Sequence, residues 1–435
     1  MARRTSKKDP KYFAILPSTE IGPKIQNIVE DYKYEVRNLG LAQLWEESYY
    51  QYYRGYYTRG EIEYHGRQGE FRTVSFNHYR NLLQHILTQI TGSRPAFEPQ
   101  AVNADYKSTS QIQIARNLLD YYLDVKDLDE FTSRAAEYSV FLGEGYLIDE
   151  WDLDEGEVVV EDEDGEVVKQ GDISYENATP FDVARDMGVR AYKDLDWVIV
   201  TTYKNKYSLA SKYPELSDRI QEVQWAPDSE DLFIHRRIDL ETDVIPVMTL
   251  YHKKTPALPN GRIVRVVEDM VLTDTPIPYD NFPVKRMAPN EIHFLPFGYS
   301  IGFDLLQLQK VKDMLESTIA TNQDMYGVQN IAVPLGSSIT PENVMEGMNF
   351  VYYDPDKGVP SALNLVQTPR EIFENKDKIV QEMEILSAVN SVMRGAPSSN
   401  IRSETKRRLF SLWGFSSTRN LREVMYLFLR WWLIA

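Results

Sequence analysis

The sequence predicts an α+β fold that is mostly helical, with its strands gathered in the middle of the chain. Apolar residues recur at three- and four-residue spacing through the first third, which indicates amphipathic helices. Alternating apolar and polar residues take over at about residue 143, and helical spacing returns at about residue 301. With 435 residues, the chain is long enough for two or three domains, because single cores rarely grow beyond roughly 250 residues.

A helical region is predicted over residues 21–142, after a loose arm over residues 1–20. Polar residues that can cap a helix precede two of its apolar runs, and glycines follow two others. The helices expected here are Ile21 to about Gly55, Asn77 to about Thr91, Ser108 or Thr109 to Tyr122, and Leu128 to Leu142 with its end at Gly143.

A β-rich region is predicted over residues 143–296. Asp164-Gly165 lies between two valine runs, and both residue types tolerate the positive φ angles of a tight hairpin turn. The acidic residues around this turn lack the ligand order of a helix–loop–helix calcium site, which favours a solvated acidic hairpin. The other elements expected here are strands over 146–152 and 197–202, a short helix over 208–212, and mixed strands over 232–296.

Two long helices with a strand-rich insert between them are predicted in the last third. They cover residues 301–327 and 369–394, and each has a narrow apolar stripe, which suits packing against neighbouring copies with the charged face in water. The stripes are Leu308, Val311, Leu315 and Ile319 in the first helix and Ile372, Ile379, Met383 and Leu386 in the second, and the charged residues of the first are Lys310, Lys312, Asp313 and Glu316.

Composition restricts the possible functions. The chain has no cysteine, so disulfides and thiolate metal sites are excluded. Its net charge of −17 argues against a tight grip on nucleic acid and is compatible with a surface past which DNA slides. No apolar run follows the basic start, so no signal peptide is expected, and the apolar stretch over 425–435 falls short of the roughly 20 residues that span a bilayer. We expect no membrane association, and a protein that is cytosolic or part of a particle assembled there.

One motif suggests hydrolase chemistry. Gly298-Tyr299-Ser300-Ile301-Gly302 matches the Gly-x-Ser-x-Gly nucleophile elbow and lies between a strand-like run and a helix. In that fold an acid and then a histidine follow the serine, but no histidine follows Ser300 in this chain. A glycine-bracketed turn into a helix is the favoured interpretation, and a serine hydrolase using Ser300 is the alternative.

Motifs for nucleotide or metal chemistry are missing from the sequence. It contains no Gly-x-x-x-x-Gly-Lys-Ser/Thr loop, no dinucleotide-binding glycine pattern that opens a helix after a strand, and no His-Glu-x-x-His. We therefore predict a protein that is not an enzyme and that needs no metal and no cofactor.

A basic cluster surrounds the short loop over residues 395–403. Arg394, Arg402 and the run Lys406-Arg407-Arg408 face only Glu404 as an acidic neighbour in sequence. An ordinary solvated helix start is the favoured interpretation of this local pattern, and a loop that lies near phosphates is the functional one.

The order of several diffuse motifs resembles portal proteins of tailed double-stranded DNA bacteriophages. The resemblance extends over roughly residues 30–430, which is why it carries weight although each motif is weak. The motifs are Ser93-Arg94-Pro95, the segment from Phe141 to Asp152, Pro180-Phe181-Asp182-Val183-Ala184-Arg185-Asp186 followed by Asp196-Trp197-Val198-Ile199, and Phe297-Gly298-Tyr299-Ser300-Ile301-Gly302 leading into a glutamine-rich helix.

The resemblance implies a self-assembled ring, typically of twelve copies, at one vertex of a virus capsid, with double-stranded DNA passing through its centre. It also implies contacts with the major capsid protein, with the terminase large subunit during packaging and then with a tail adaptor protein, in a virion assembled in the host cytoplasm. The implied parts are a helical wing region (21–142), a β-rich wing (143–296), stem helices (297–327 and 367–394), a small α/β clip (328–366), a tunnel loop (395–403) and a long wing helix (404–435).

Two sets of site residues follow from the resemblance. The tunnel loop would line the narrowest part of the DNA channel, and the clip would meet the terminase and later the adaptor. The loop residues are Arg394, Ser398, Ser399, Asn400 and Arg402, and the clip residues are Ile331, Val333, Phe350, Tyr352 and Tyr353.

The chain departs from the family pattern at its end. Portal proteins usually continue past the wing helix into further helices, often a crown, whereas this chain stops on apolar residues at 431–435. An apolar end favours a natural product longer than this chain. A non-ring adaptor or scaffold protein is the remaining alternative.

Overall fold

A computed structural model of the chain describes residues 12–53, 63–64, 70–71, 74–92, 106–161, 167–224, 243–327, 329–335, 348–354, 356 and 370–389. It mixes helices and strands, with helices the larger share, in agreement with the predicted α+β class. The chain divides into two compact units. Within the described residues, unit 1 comprises 12–48 and 84–303, and unit 2 comprises 49–83 and 304–389. Residues 49–83, predicted as part of the helical wing region, therefore belong to unit 2.

The helices and strands have the following bounds. The helices are α1 (Ser18–Asn38), α2 (Leu41–Tyr53), α3 (His78–Thr91), α4 (Tyr106–Asp124), α5 (Leu128–Leu142), α6 (Lys206–Lys212), α7 (Ser217–Glu222), α8 (Ile301–Gly327) and α9 (Arg370–Ser387). The strands are β1 (Glu63–Tyr64), β2 (Glu70–Phe71), β3 (Gly145–Asp152), β4 (Val158–Glu161), β5 (Val167–Lys169), β6 (Asp172–Ala178), β7 (Val183–Arg185), β8 (Trp197–Asn205), β9 (Val244–His252), β10 (Arg262–Val267), β11 (Met270–Thr275), β12 (Val284–Met287), β13 (Asn290–Glu291), β14 (Gly298–Tyr299), β15 (Gln329–Pro334) and β16 (Met348–Tyr353).

The described start of the chain is packed, which corrects the prediction of a loose arm for residues 12–20. Ala14 is fully buried, and Arg262 on β10 donates hydrogen bonds from Nη1 to the carbonyl oxygens of Ala14 and Leu16, each at 2.7 Å. Helix α1 then begins at Ser18, before the predicted start at Ile21. Arg262 lies more than 240 positions away from this segment in sequence, so local sequence patterns could not predict the contact.

The single helix predicted from Ile21 to about Gly55 is two helices. Gly40 separates α1 from α2 with a φ angle of +73°, a left-handed conformation that glycine adopts at little steric cost. Other ends agree with the prediction. Asn77 caps α3 by accepting a hydrogen bond from the backbone N–H of Arg80 at 2.9 Å, and α5 ends at Gly143, whose φ angle is +85°.

The core of unit 1 lies between two antiparallel sheets. One has five strands in the order β11-β10-β9-β8-β7, and the other has three in the order β12-β3-β6. Tyr146 and Ile148 from the smaller sheet pack with Val198 and Val200 from the larger one. The predicted acidic hairpin is confirmed as the antiparallel pair β4–β5, and its turn, residues 162–166, lies outside the described residues.

A buried ion pair lies within unit 1. Arg185 on β7 and Glu144, just before β3, are both fully buried; Arg185 Nη2 contacts Glu144 Oε1, and Nη1 donates to Glu144 Oε2 at 3.1 Å. Nη1 also donates to the hydroxyl of Tyr146 at 2.6 Å, and the guanidinium lies 4.5 Å from the centre of the Phe297 ring. Burial raises the pKa of Glu144, but Arg185, Arg286 and the hydrogen bond from the Gly298 N–H together outweigh it, so the pKa lies below its usual value.

A second buried carboxylate, Asp149 on β3, is poorly compensated. Its Oδ1 atom is buried without a hydrogen-bond partner. Burial raises the pKa of Asp149 to about 7, and the positive charge of Lys285 only partly opposes this. Since the folded pKa exceeds the unfolded value, this group contributes stability below about pH 4 and loses it as the pH rises towards 7.

We expect Asp149→Asn to remove this pH dependence. Relative to the unchanged protein, the variant should gain about 2–3 kcal/mol in free energy of unfolding between pH 5 and pH 8, because only the unchanged protein must bury a carboxylate at pH 8. Urea unfolding of both proteins at pH 5, 6, 7 and 8 measures the difference. A difference that stays constant across this range would show that Asp149 ionises at its ordinary pKa.

Candidate functional site

The residues predicted to line a DNA channel lie outside the described residues. The predicted loop over 395–403 and the helix over 404–435 follow Val389, the last residue described. The loop therefore stays a prediction, as do the roles of Arg394, Ser398, Ser399, Asn400 and Arg402.

The residues predicted for the clip meet in one small parallel sheet. In the register of β15 and β16, Ile331 lies opposite Phe350 and Val333 opposite Tyr352. The Val333 side chain is buried at 1% exposure, whereas Tyr352 is 50% exposed and Tyr353 is half-buried. The strand pair therefore buries the Val333 side chain and exposes the Tyr352 side chain.

The exposed surface of this sheet is apolar and acidic. Leu335, which follows β15, is 61% exposed, and its backbone N–H donates to the Tyr353 carbonyl at 2.9 Å. Asp354 and Asp356 form a turn after β16, in which the Asp356 N–H donates to Asp354 Oδ1 at 3.2 Å. The surface therefore combines two exposed apolar side chains, Tyr352 and Leu335, with the neighbouring carboxylates of Asp354 and Asp356.

The predicted division of α8 into an apolar packed face and a charged wet face is wrong. Lys312 and Asp313 are buried at 1% and 0% exposure, whereas Val311 is 40% exposed. Ile319 is buried as predicted, and Leu308 and Leu315 are half-buried. The buried face is largely polar, and its polar members are Gln309, Lys312, Asp313 and Ser317.

The polar face of α8 holds the extended segment 74–77, which we call the strap. Ser317 Oγ accepts from the Val74 N–H at 3.0 Å and donates to the Val74 carbonyl at 3.2 Å. The Phe76 carbonyl accepts from Gln309 Nε2 at 3.1 Å and from Lys312 Nζ at 3.0 Å. The extended strap has no neighbouring strand to accept and donate its backbone hydrogen bonds. Buried backbone groups without partners cost free energy, and the side chains of α8 supply the partners here.

Gln309 and Asp313 continue the contact into the start of α3. Gln309 Oε1 accepts from the Tyr79 N–H at 3.0 Å, and Gln309 Nε2 also donates to Asp313 Oδ1 at 2.8 Å. Ser75 Oγ donates to Asp313 Oδ2 at 3.0 Å. Burial raises the pKa of Asp313 although these hydrogen bonds oppose the shift, and burial lowers the pKa of Lys312 although Glu316 opposes it. Lys312 and Asp313 thus bind two neighbouring groups of the strap, the Phe76 carbonyl and the Ser75 hydroxyl.

We expect Gln309→Leu to lower the free energy of unfolding by about 2–3 kcal/mol. The change leaves the Tyr79 N–H without its acceptor and removes one donor from the Phe76 carbonyl, and each unsatisfied buried group costs about 1–3 kcal/mol. Gln307→Leu is the matched control, because Gln307 is exposed on the same helix, and it should change stability by less than about 0.5 kcal/mol. Urea unfolding measures both, and equal effects would contradict the role of the strap.

Helix α9 agrees better with its predicted stripe but is shorter. Ile379 and Met383 are buried as expected, whereas Leu386 is 46% exposed. The helix ends at Ser387 and not at 394, because Ala388 adopts a left-handed conformation with a φ angle of +56°.

Apolar side chains lie on the outward faces of both long helices of unit 2. Val311 and Met314 on α8 are 40% and 51% exposed, and Phe373, Ile385 and Leu386 on α9 are 37%, 71% and 46% exposed. Val311 and Met314 lie about one helical turn apart, and Ile385 and Leu386 are adjacent, so each helix has a small exposed apolar pair.

Ser300 of the candidate nucleophile elbow precedes α8 as predicted, but the strand before it is β14, whereas the strand-like run predicted over residues 292–295 is a turn. The Ser300 side chain is 1% exposed; Oγ donates to the Val140 carbonyl and accepts from the Gly302 N–H at 2.9 Å. This hydroxyl caps the start of α8 and fastens it to the end of α5. Because the Ser300 hydroxyl is buried and already both donates and accepts a hydrogen bond, it does not suit a nucleophile that must contact the substrate.

Unit 1 also contains a polar cavity of about 680 Å³. Its walls come from α6 and from the strands β3, β6, β8, β9, β10 and β11, and charged side chains in it are paired with one another. The pairs are Glu150 with Arg265 at 2.8 Å, Lys212 with Asp154 at 2.5 Å and Lys204 with Glu176 at 2.8 Å.

Two further properties concern the described residues alone. Among them, no three histidine, aspartate or glutamate side chains come together as a metal site. No helix in the described part of the chain is long and apolar enough to cross a membrane.

The comparisons with known proteins add no family to this description. No family model matches the chain, and no curated protein is significantly similar to it.

Proposed function

We propose that this protein is a portal protein of a tailed double-stranded DNA bacteriophage. In this role about twelve copies form a ring at one capsid vertex, through which the genome enters during packaging and leaves during ejection. The ring contacts the major capsid protein, and it docks the terminase large subunit and later a tail adaptor. The protein has no enzymatic activity of its own in this proposal.

One observation carries the proposal: unit 2 contains two helices with a small strand pair between them in sequence. Helix α8 has 27 residues and α9 has 18, and the parallel strands β15 and β16 come between them. The order matches the stem–clip–stem order of the resemblance. At 1.5 Å per residue, α8 is about 40 Å long, which is long enough for the wall of a channel.

The outward apolar residues of α8 and α9 support a ring of copies. In a closed rotational ring, every subunit uses the same two surfaces to contact its two neighbours, so the exposed apolar residues of α8 and α9 are covered on every copy. Charged residues on other faces of these helices, such as Lys310 and Glu382, then remain available to water.

The roles of the two site-residue sets follow from the ring. The clip residues contact the terminase and then the adaptor, with Tyr352 as the exposed member of the set. Arg394, Asn400 and Arg402 lie at the narrowest part of the channel, where a few positive charges among an excess of negative ones guide DNA without holding it.

Mass photometry of the purified full chain tests the proposal. The expected species is about 600 kDa, which corresponds to about twelve chains of 50.5 kDa. A single species at the mass of one chain would favour the adaptor alternative and contradict the portal.

A further inference from the structure

An apolar stripe on α4 in unit 1 faces solvent. Ile114, Leu118, Tyr121 and Val125 follow one another at helical spacing, the last just beyond the end of the helix, and they are 67%, 51%, 39% and 63% exposed. The side of α4 opposite the stripe carries polar residues such as Arg116. An amphipathic helix normally turns such a stripe towards a core, so this one has the composition of a buried surface.

The stripe continues onto the base of the β4–β5 hairpin. Tyr121 donates from its hydroxyl to Asp172 Oδ2 at 3.0 Å, and Lys126 Nζ contacts Glu155 Oε2 at 2.5 Å, so the end of α4 lies beside the hairpin base. Four exposed apolar residues lie at this base, namely Trp151, Leu153, Val158 and Val159, at 49%, 71%, 56% and 61% exposure. We call the stripe and these four residues together the α4–hairpin surface.

Carboxylates border the α4–hairpin surface. Asp124 on α4 and Asp154 and Glu157 at the hairpin base are all exposed. A partner for this surface must therefore combine apolar side chains with basic ones.

One segment of this chain has that composition. Residues 404–435 contain six basic residues against two acidic ones, in a chain whose net charge is −17. The same segment holds Trp413, Trp431 and Trp432 among many leucines and phenylalanines. The helix that the sequence predicts over this segment would be about 48 Å long, enough to run along the roughly 28 Å of α4 and reach the hairpin base.

We propose that residues 404–435 dock on the α4–hairpin surface. Their apolar residues cover the stripe, and their arginines and lysines meet the bordering carboxylates. The proposal depends on the composition and geometry of unit 1 alone, and it holds whether or not the chain forms a ring.

A photo-cross-linker tests the contact in the full chain. Because the chain has no cysteine, Leu118→Cys gives a single attachment point for a benzophenone maleimide. After irradiation and digestion, mass spectrometry should find the cross-linked peptides within residues 404–435. Arg116→Cys is the matched control on the other side of α4 and should not give these peptides. Cross-links from Leu118→Cys to any other segment, an absence of cross-links, or the same peptides from both positions would overturn the proposal.

Proteolysis gives a second readout. The double variant Ile114→Asp, Leu118→Asp should raise the rate of trypsin cleavage after Arg419, Arg422 and Arg430 by roughly tenfold, because release of the segment makes these bonds accessible. Arg116→Asp should leave the rate unchanged. Circular dichroism spectra verify that the helices are retained, and equal rates in a folded double variant would contradict the docking.

Discussion

Arg185→Met should lower the free energy of unfolding by about 3–5 kcal/mol, the largest loss of stability expected from a single substitution here. The change leaves the Glu144 carboxylate fully buried, with its remaining cation, Arg286, 3.8 Å away from Oε2. A buried charge without its partner costs far more than the pair itself contributes. Urea unfolding at pH 7, followed by circular dichroism, measures the loss.

A double-mutant cycle separates the pair from general damage to the core. Arg185→Met with Glu144→Leu should recover much of the loss, because no uncompensated carboxylate remains beside the apolar replacement. Arg134→Met is the matched control, since Arg134 pairs with Glu130 on the surface, where such pairs contribute less than about 1 kcal/mol. If Arg185→Met and Arg134→Met had similar effects, the buried pair would not have the role assigned to it.

Val311→Asp with Met314→Asp should disperse the proposed ring into single chains. Both residues lie on the outward face of α8, and in a ring each interface would bury two carboxylates among apolar residues. We expect the main species in mass photometry to change from about 600 kDa to the 50.5 kDa of one chain, with an unchanged circular dichroism spectrum.

The control for this pair keeps the apolar character of the face. Val311→Ile with Met314→Leu changes shape but adds no charge, so the high-mass species should persist. A ring that survived both aspartates would show that this face of α8 is not an interface.

Elements with strong local signals could be predicted from the sequence. Helix α5 has its predicted bounds because its apolar spacing ends at a glycine, which adopts the left-handed conformation that stops the helix. Helix α8 also has its predicted bounds, and Asn77 caps α3 as expected. In each case the decisive residues lie within one helical turn of the boundary, so a local pattern contains the necessary information.

The faces of α8 could not be predicted from its own sequence. The sequence predicts the apolar stripe of α8 as its packed side, because burial of apolar residues is the main driving force for folding. The strap changes this outcome, because its backbone groups need polar partners and lie more than 200 positions away in sequence. The ion pair between Arg185 and Glu144 was missed for the same reason, since the two residues belong to separate motifs and lie 41 positions apart in sequence.

Electron microscopy of the purified full chain tests the central claim most directly. The portal proposal predicts a closed ring of about twelve subunits around an axial pore wide enough for a DNA duplex, with residues 395–403 at the narrowest point and the outward faces of α8 and α9 covered by neighbouring copies. A lone particle without a pore, in which Val311 and Met314 face water, would contradict it.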